Sequence, residues 1–121
     1  MYKLSIQTHI SAAHRLKEYE GACARIHGHN WKIEITVASE KLDAVGMVID
    51  FKDLSDLTWQ VVGKFDHQVI NDVPPFDKMN PTAENLSRFI YRELAKALPR
   101  HVKMHSVRLW ETEKYFIEYS E

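Results

Sequence analysis

The sequence predicts an α+β fold in which two helices pack on one face of an antiparallel β-sheet. Three observations carry this reading. Two segments near the N-terminus alternate apolar and polar residues, two central segments repeat apolar residues at helical spacing, and two short alternating segments end the chain. The predicted order is β-β-(short β)-α-α-β-β.

In the first segment Tyr2, Leu4, Ile6, Ile10 and Ala12 share one parity, and Lys3, Ser5, Gln7, His9 and Ser11 share the other, as in a half-buried strand. A polar stretch, residues 15–26, separates it from a second strand in which Trp31, Ile33, Ile35 and Val37 oppose Lys32, Glu34 and Thr36. The apolar run Met47-Val48-Ile49 reads as a short third strand. Asp50 is a good helix cap, and Leu54, Leu57, Val61 and Phe65 recur at helical spacing, so a helix is expected from about Phe51 to Lys64. Three prolines and several Asn and Asp residues make 66–81 mostly loop. Thr82 then caps a second helix with the stripe Leu86, Phe89, Ile90, Leu94 and Leu98, closed by Pro99. Strands near Val102–Trp110 and Tyr115–Tyr119, joined by the turn Thr112-Glu113-Lys114, complete the set.

With 121 residues, 45% apolar or aromatic and 27% charged, the chain has the balance of one domain spanning residues 1–121. At this size much surface stays exposed on folding, so self-association would not surprise. A net charge of −1 provides no bulk basic field, which argues against nucleic acid as a partner. No long apolar stretch or secretory leader is present, so a cytoplasmic protein without a membrane partner is expected. The single Cys23 cannot form an internal disulfide; it is inert packing, a metal ligand or a reactive thiol.

Seven histidines invite a search for metal-ligand spacing. His27 and His29 are two apart, so on a strand they share a face, and their odd parity is that of Trp31 to Val37. His14 continues the apolar parity of the first strand. Any one of these would read as a hydrogen-bonded core residue. Three inward imidazoles at the ends of two strands that can be neighbours instead match a catalytic zinc site with one open position. His9, His101 and His105 have no such spacing and read as surface or packed residues.

Cys23 lies four residues before His27, close enough for its sulfur to meet a bound substrate without ligating, and a thiol becomes a useful base when a neighbour favours the thiolate. Asp66-His67 can supply that neighbour, or His67 can be a helix-end residue contacting backbone. Glu111 shares inward parity with Val107 and Leu109, and a buried carboxylate needs donors: a Lys or Arg, or the adjacent N–H groups of a bound heterocycle. In Asn80-Pro81-Thr82-Ala83-Glu84, Thr82 caps and Glu84 complements the helix dipole.

Taken together, Ser11-Ala12-Ala13-His14-Arg15-Leu16, Cys23 to Asn30, Val48-Ile49-Asp50-Phe51, Asp66-His67, Asn80 to Asn85 and Glu111 resemble the 6-pyruvoyl-tetrahydropterin synthase family. The likeness runs from about Leu4 to Tyr119 and is greatest to the bacterial branch that makes 6-carboxy-5,6,7,8-tetrahydropterin in the queuosine pathway. It implies a tunnelling fold (T-fold) that assembles into rings, usually a homohexamer, with active sites between subunits. It also implies Zn2+ on His14, His27 and His29, Cys23 as the proton-abstracting base with Asp66 and His67 as its relay, and Glu111 anchoring the pterin. Thr82 and Glu84 match a segment near the pterin pocket, although capping accounts for them equally. The implied substrate is 7,8-dihydroneopterin triphosphate, yielding 6-carboxytetrahydropterin, acetaldehyde and triphosphate, or the pyruvoyl compound and triphosphate in the sister branch; a non-catalytic pterin-binding protein is a further alternative. No nicotinamide or flavin is required. Two departures stand out. Ile10 replaces an aromatic common before the first zinc His, and Ala24 stands where some members carry a Glu and make a hydroxymethyl pterin.

Overall fold

The two alternating N-terminal segments form the long strands β1 (Tyr2–His14) and β2 (His27–Ser39). They pair antiparallel in continuous register, from Tyr2 opposite Ser39 to His14 opposite His27. The computed structural model describes residues 1–121. β3 (Lys103–Thr112) and β4 (Tyr115–Tyr119) extend the sheet in the order β1-β2-β3-β4, each neighbouring pair antiparallel. Two helices, α1 (Phe51–Val62) and α2 (Ala83–Ala97), cover one face, and no helix is long and apolar enough to cross a membrane.

Covering one face explains the alternation. Ile10 and Ala12 of β1, Trp31, Ile33, Ile35 and Val37 of β2, and Val107 and Leu109 of β3 all bury toward the helices. Leu54 and Val62 from α1 and Leu86, Ile90 and Leu94 from α2 meet them, with Phe65, Ile70 and Phe76 filling in from the intervening loops. The other face carries polar cross-strand pairs such as Ser5–Thr36 (2.7 Å between hydroxyls) and Gln7 donating to Glu34 (2.9 Å).

Both helix starts form as the caps predict. The Asp50 carboxylate accepts from the Lys52 N–H at 2.7 Å, and the Thr82 hydroxyl from the Asn85 N–H at 3.1 Å. α1 stops two residues short of Lys64, and a single 3₁₀ turn, Gly63–Phe65, drops Phe65 into the core. The predicted strand at Met47-Val48-Ile49 is absent. Asp43 Oδ1 accepts from the N–H groups of Val45 (3.0 Å) and Met47 (2.9 Å), and Gly46 at φ 88° lets the chain curl back. Val48 and Ile49 are buried all the same, and the Val48 carbonyl is bound by His101 at 2.9 Å, so the backbone is engaged locally rather than in a ladder.

The loop after α1 positions the site. It lies along the outer edge of β1, with the His67 N–H donating to Ser11 O (2.6 Å), the Ala13 N–H to Gln68 O (3.0 Å), and a parallel bridge between Ala13 and Val69. Because Leu94 is fully buried and Thr82 is a cap, Leu94→Ala is expected to cost about 2–5 kcal/mol and Thr82→Ala about 1 kcal/mol; denaturant midpoints at constant slope measure both.

Candidate metal centre and active site

The β1–β2 register makes His14 and His27 direct cross-strand partners and places His29, opposite Ala12, on the same inward face. Their ring centroids lie 4.7 Å (14–27), 4.8 Å (27–29) and 5.2 Å (14–29) apart. The buried indole of Trp31 forms the floor, 4.9 Å from His14 and 5.2 Å from His29, and its N–H donates to Ala12 O at 3.1 Å.

Glu111 arrives from β3. It keeps the inward parity of Val107 and Leu109, and between Trp110 and Thr112 the β3–β4 register shifts by one residue, leaving Glu111 as the extra residue of a bulge. Its Oε1 lies 3.1 Å from His14 Nε2 and 3.0 Å from His29 Nε2. The ligand atoms of His14, His27, His29 and Glu111 all lie within 4.8 Å of one another.

Backbone carbonyls set the tautomers. The Nδ1–H of His14 donates to Pro81 O and that of His27 to Arg25 O, both at 2.7 Å. A carbonyl only accepts, so Nδ1 carries a proton in both rings and Nε2 is the atom turned toward the group, the arrangement that orients histidine ligands; His14 Nε2 meets Glu111 Oε1 there at 3.1 Å. His29 Nε2 is buried and makes no hydrogen bond, its 3.0 Å approach to Glu111 being poorly aligned. Nitrogen and oxygen ligand atoms thus converge in a group that could hold a divalent cation. Three imidazole nitrogens form a donor set suited to zinc, with the Glu111 carboxylate beside them.

Burial pushes the His29 pKa below its ordinary value; Glu111 opposes this and His14 and His27 add to it, so the ring stays neutral near neutral pH. A histidine whose folded pKa is depressed contributes full stability above its unfolded pKa and loses it as pH falls from there. The metal-free protein is therefore expected to lose stability below about pH 6.5 until the lower folded value is passed. Denaturant midpoints between pH 8 and 5 should show this slope, flattened in His29→Gln.

Asp66 and His67 pair although they are adjacent, with 3.0 Å between Asp66 Oδ2 and His67 Nδ1. The contact is made possible by the backbone, since His67 sits in the left-handed region at φ 58°, a conformation held by its N–H bond to Ser11 O. The Ser11 N–H donates to Asp66 Oδ1 at 2.9 Å, and this bond, with a smaller contribution from His67, holds the Asp66 pKa below the ordinary carboxylate value. The His67 ring is 80% exposed and lines a surface groove together with His29. A second groove, on the other side of Gly28-His29-Asn30, is lined by His29 and Glu111 with Lys32 and Trp110.

Cys23 lies in the one-turn 3₁₀ helix Ala22–Ala24, partly buried and outside the grouped ligand atoms; its carbonyl accepts from the Leu16 N–H at 2.8 Å, tying the loop to the end of β1. Thr82 is engaged as a cap, and Glu84 is an exposed side chain in the first turn of α2. The parity pattern brought three histidines together but did not assign Glu111 to their group, nor the carbonyls of Pro81 and Arg25. Backbone acceptors leave no side-chain signal in a sequence.

Residues 3–121 match the family model described as 6-pyruvoyl tetrahydropterin synthase. The chain belongs to this family. Within the 6-pyruvoyl tetrahydropterin synthase family, it is 30% identical to the 6-carboxy-5,6,7,8-tetrahydropterin synthase of Haemophilus influenzae over the whole length of both chains. It is 39% identical to the Bacillus subtilis protein of the same name, over 74% of this chain and 63% of that one. The structure of Caenorhabditis elegans 6-pyruvoyl tetrahydropterin synthase superposes with a TM-score of 0.87 at 25% identity, covering 99% of this chain and 95% of the other.

Proposed function

We propose that this protein is a zinc-dependent 6-carboxy-5,6,7,8-tetrahydropterin synthase, a lyase converting 7,8-dihydroneopterin triphosphate to 6-carboxytetrahydropterin, acetaldehyde and triphosphate. The observation that carries this reading is the convergence of His14, His27, His29 and Glu111, with the Asp66–His67 pair on an adjoining groove, in a chain whose relatives bear that name.

In this reading His14, His27 and His29 hold the ion. Bound there, zinc supplies Lewis acidity to the side-chain hydroxyls of the substrate. Cys23, on the loop leading into β2, acts as the base that removes and returns protons on the substrate side chain. His67 takes up the thiol proton, and Asp66 fixes its tautomer by engaging Nδ1. Glu111 faces both the imidazoles and the adjoining groove, where a carboxylate can accept from the adjacent N–H groups of a pterin. Thr82 and Glu84, at the start of α2, are assigned to the pterin pocket by the family resemblance alone, since neither lines this groove and Thr82 caps the helix. The protein works in the cytoplasm as a homohexamer, with sites at subunit boundaries where the exposed His67 ring is covered.

The likeness to the worm enzyme favours a second reading, a 6-pyruvoyl product with triphosphate release. Incubating zinc-loaded protein with dihydroneopterin triphosphate separates the two. Acetaldehyde with the 6-carboxy pterin is expected; the pyruvoyl compound without acetaldehyde moves the assignment to the sister reaction, and neither product removes the enzymatic reading.

A further inference from the structure

β2 runs from the imidazole group at His27 to Ser39, twelve residues or about 40 Å away at roughly 3.3 Å per residue. At this far end lies a cavity of about 580 Å³ between the turn after β2 and the connection from α2 to β3. Its volume is within the range of small-ligand sites. Lys41, Arg100 and Lys103 line it, with His101, Ser39 and a single carboxylate, Glu40.

Segregation of charge is the first argument. The chain as a whole is slightly acidic, yet three permanent cations face this one concavity. The Lys and Arg ion pairs of the protein are made by Lys52, Arg92, Lys96 and Arg108, none of which lines it. Clustered like charges with no paired acids repel one another unless an anion joins them.

The second argument is that local bonds hold both walls. The buried Ser39 hydroxyl accepts from the Lys41 N–H at 3.1 Å and donates to Lys41 O at 2.8 Å, fixing the turn that presents Lys41. On the opposite wall the Val102 N–H donates to Pro99 O at 2.9 Å, and His101 is bound to Val48 O at 2.9 Å, so the backbone carrying Arg100 and Lys103 is pinned between them. Pre-set walls lower the ordering cost of gathering three cations on one ligand. Arg100 offers a fork of donors suited to two oxygens, and the lysines offer point charges.

We infer that this cavity is a second anion site, remote from the pterin site, that takes a phosphate chain of two or more phosphates. A free polyphosphate and the phosphate chain of a nucleotide share this chemistry. Calorimetric titration of the zinc-loaded protein with inorganic pyrophosphate and with ADP tests it. Pyrophosphate is expected to bind the wild type and His29→Ala alike, and to bind the triple variant Lys41→Gln, Arg100→Gln, Lys103→Gln at least tenfold more weakly. The triple variant should keep the melting temperature and saturated turnover of the wild type; each single substitution, expected to weaken binding at least threefold, gives the same answer if the triple variant folds poorly. ADP binding tenfold tighter than pyrophosphate assigns the site to nucleotides, and equal affinities assign it to free phosphate chains. Unchanged affinity in the variants, binding lost in His29→Ala, or no binding by the wild type at about 1 mM ligand overturns the inference.

Discussion

His29→Ala is expected to release the metal and abolish turnover while leaving the fold in place. His29 belongs to the convergent group, and its Nε2 is the one buried side-chain polar atom without a hydrogen bond, so its lone pair has no structural role that alanine would forfeit. Loss of a partner that merely orients a ligand already costs roughly 10–100-fold in metal affinity or activity, and loss of a ligand should cost at least as much. Elemental analysis of dialysed protein should find zinc near one per chain in the wild type and far less in the variant, with turnover below about 1%. A variant that kept both would show that His29 does not ligate.

Cys23→Ala is expected to separate chemistry from metal binding. Cys23 stands outside the ligand group, on a short 3₁₀ turn anchored through its backbone carbonyl, so its side chain can change without disturbing either the imidazoles or the loop. If its thiolate moves the substrate proton, turnover should fall roughly 10²- to 10⁴-fold while zinc content and pterin affinity stay at wild-type levels. Loss of zinc from this variant would make the sulfur a ligand, and unchanged turnover would remove it from the reaction.

The two predicted helices and the four long-range strands were readable because one covered sheet face enforces period two and a packed helix enforces a stripe, and both patterns are local in sequence. Met47-Val48-Ile49 shows where that logic stops. The run is buried as its composition demands, but Asp43 and Gly46 turn the chain there, and burial alone does not distinguish a strand from a packed loop. The α1 end was misplaced for a related reason, since Phe65 reaches the core from a 3₁₀ turn at nearly the spacing a helix would give.

The imidazole trio was legible because parity survives folding: His14, His27 and His29 each follow the buried positions of their own strand. The contact between Asp66 and His67 was not, because neighbouring side chains ordinarily diverge and only the left-handed backbone at His67, tied to Ser11, turns one ring onto the preceding carboxylate.

By itself, then, the sequence determined the order of elements, the inward face of His14, His27 and His29, and the family to which these residues point. Only the tertiary structure decided that β1 and β2 align with His14 opposite His27, that β3 brings Glu111 to the same place, and that Pro81 and Arg25 set the tautomers. The physical reason is range. Periodicity is written within each segment, whereas register, bulges and backbone acceptors are settled between segments far apart in the chain, where the best joint packing and hydrogen bonding selects one arrangement.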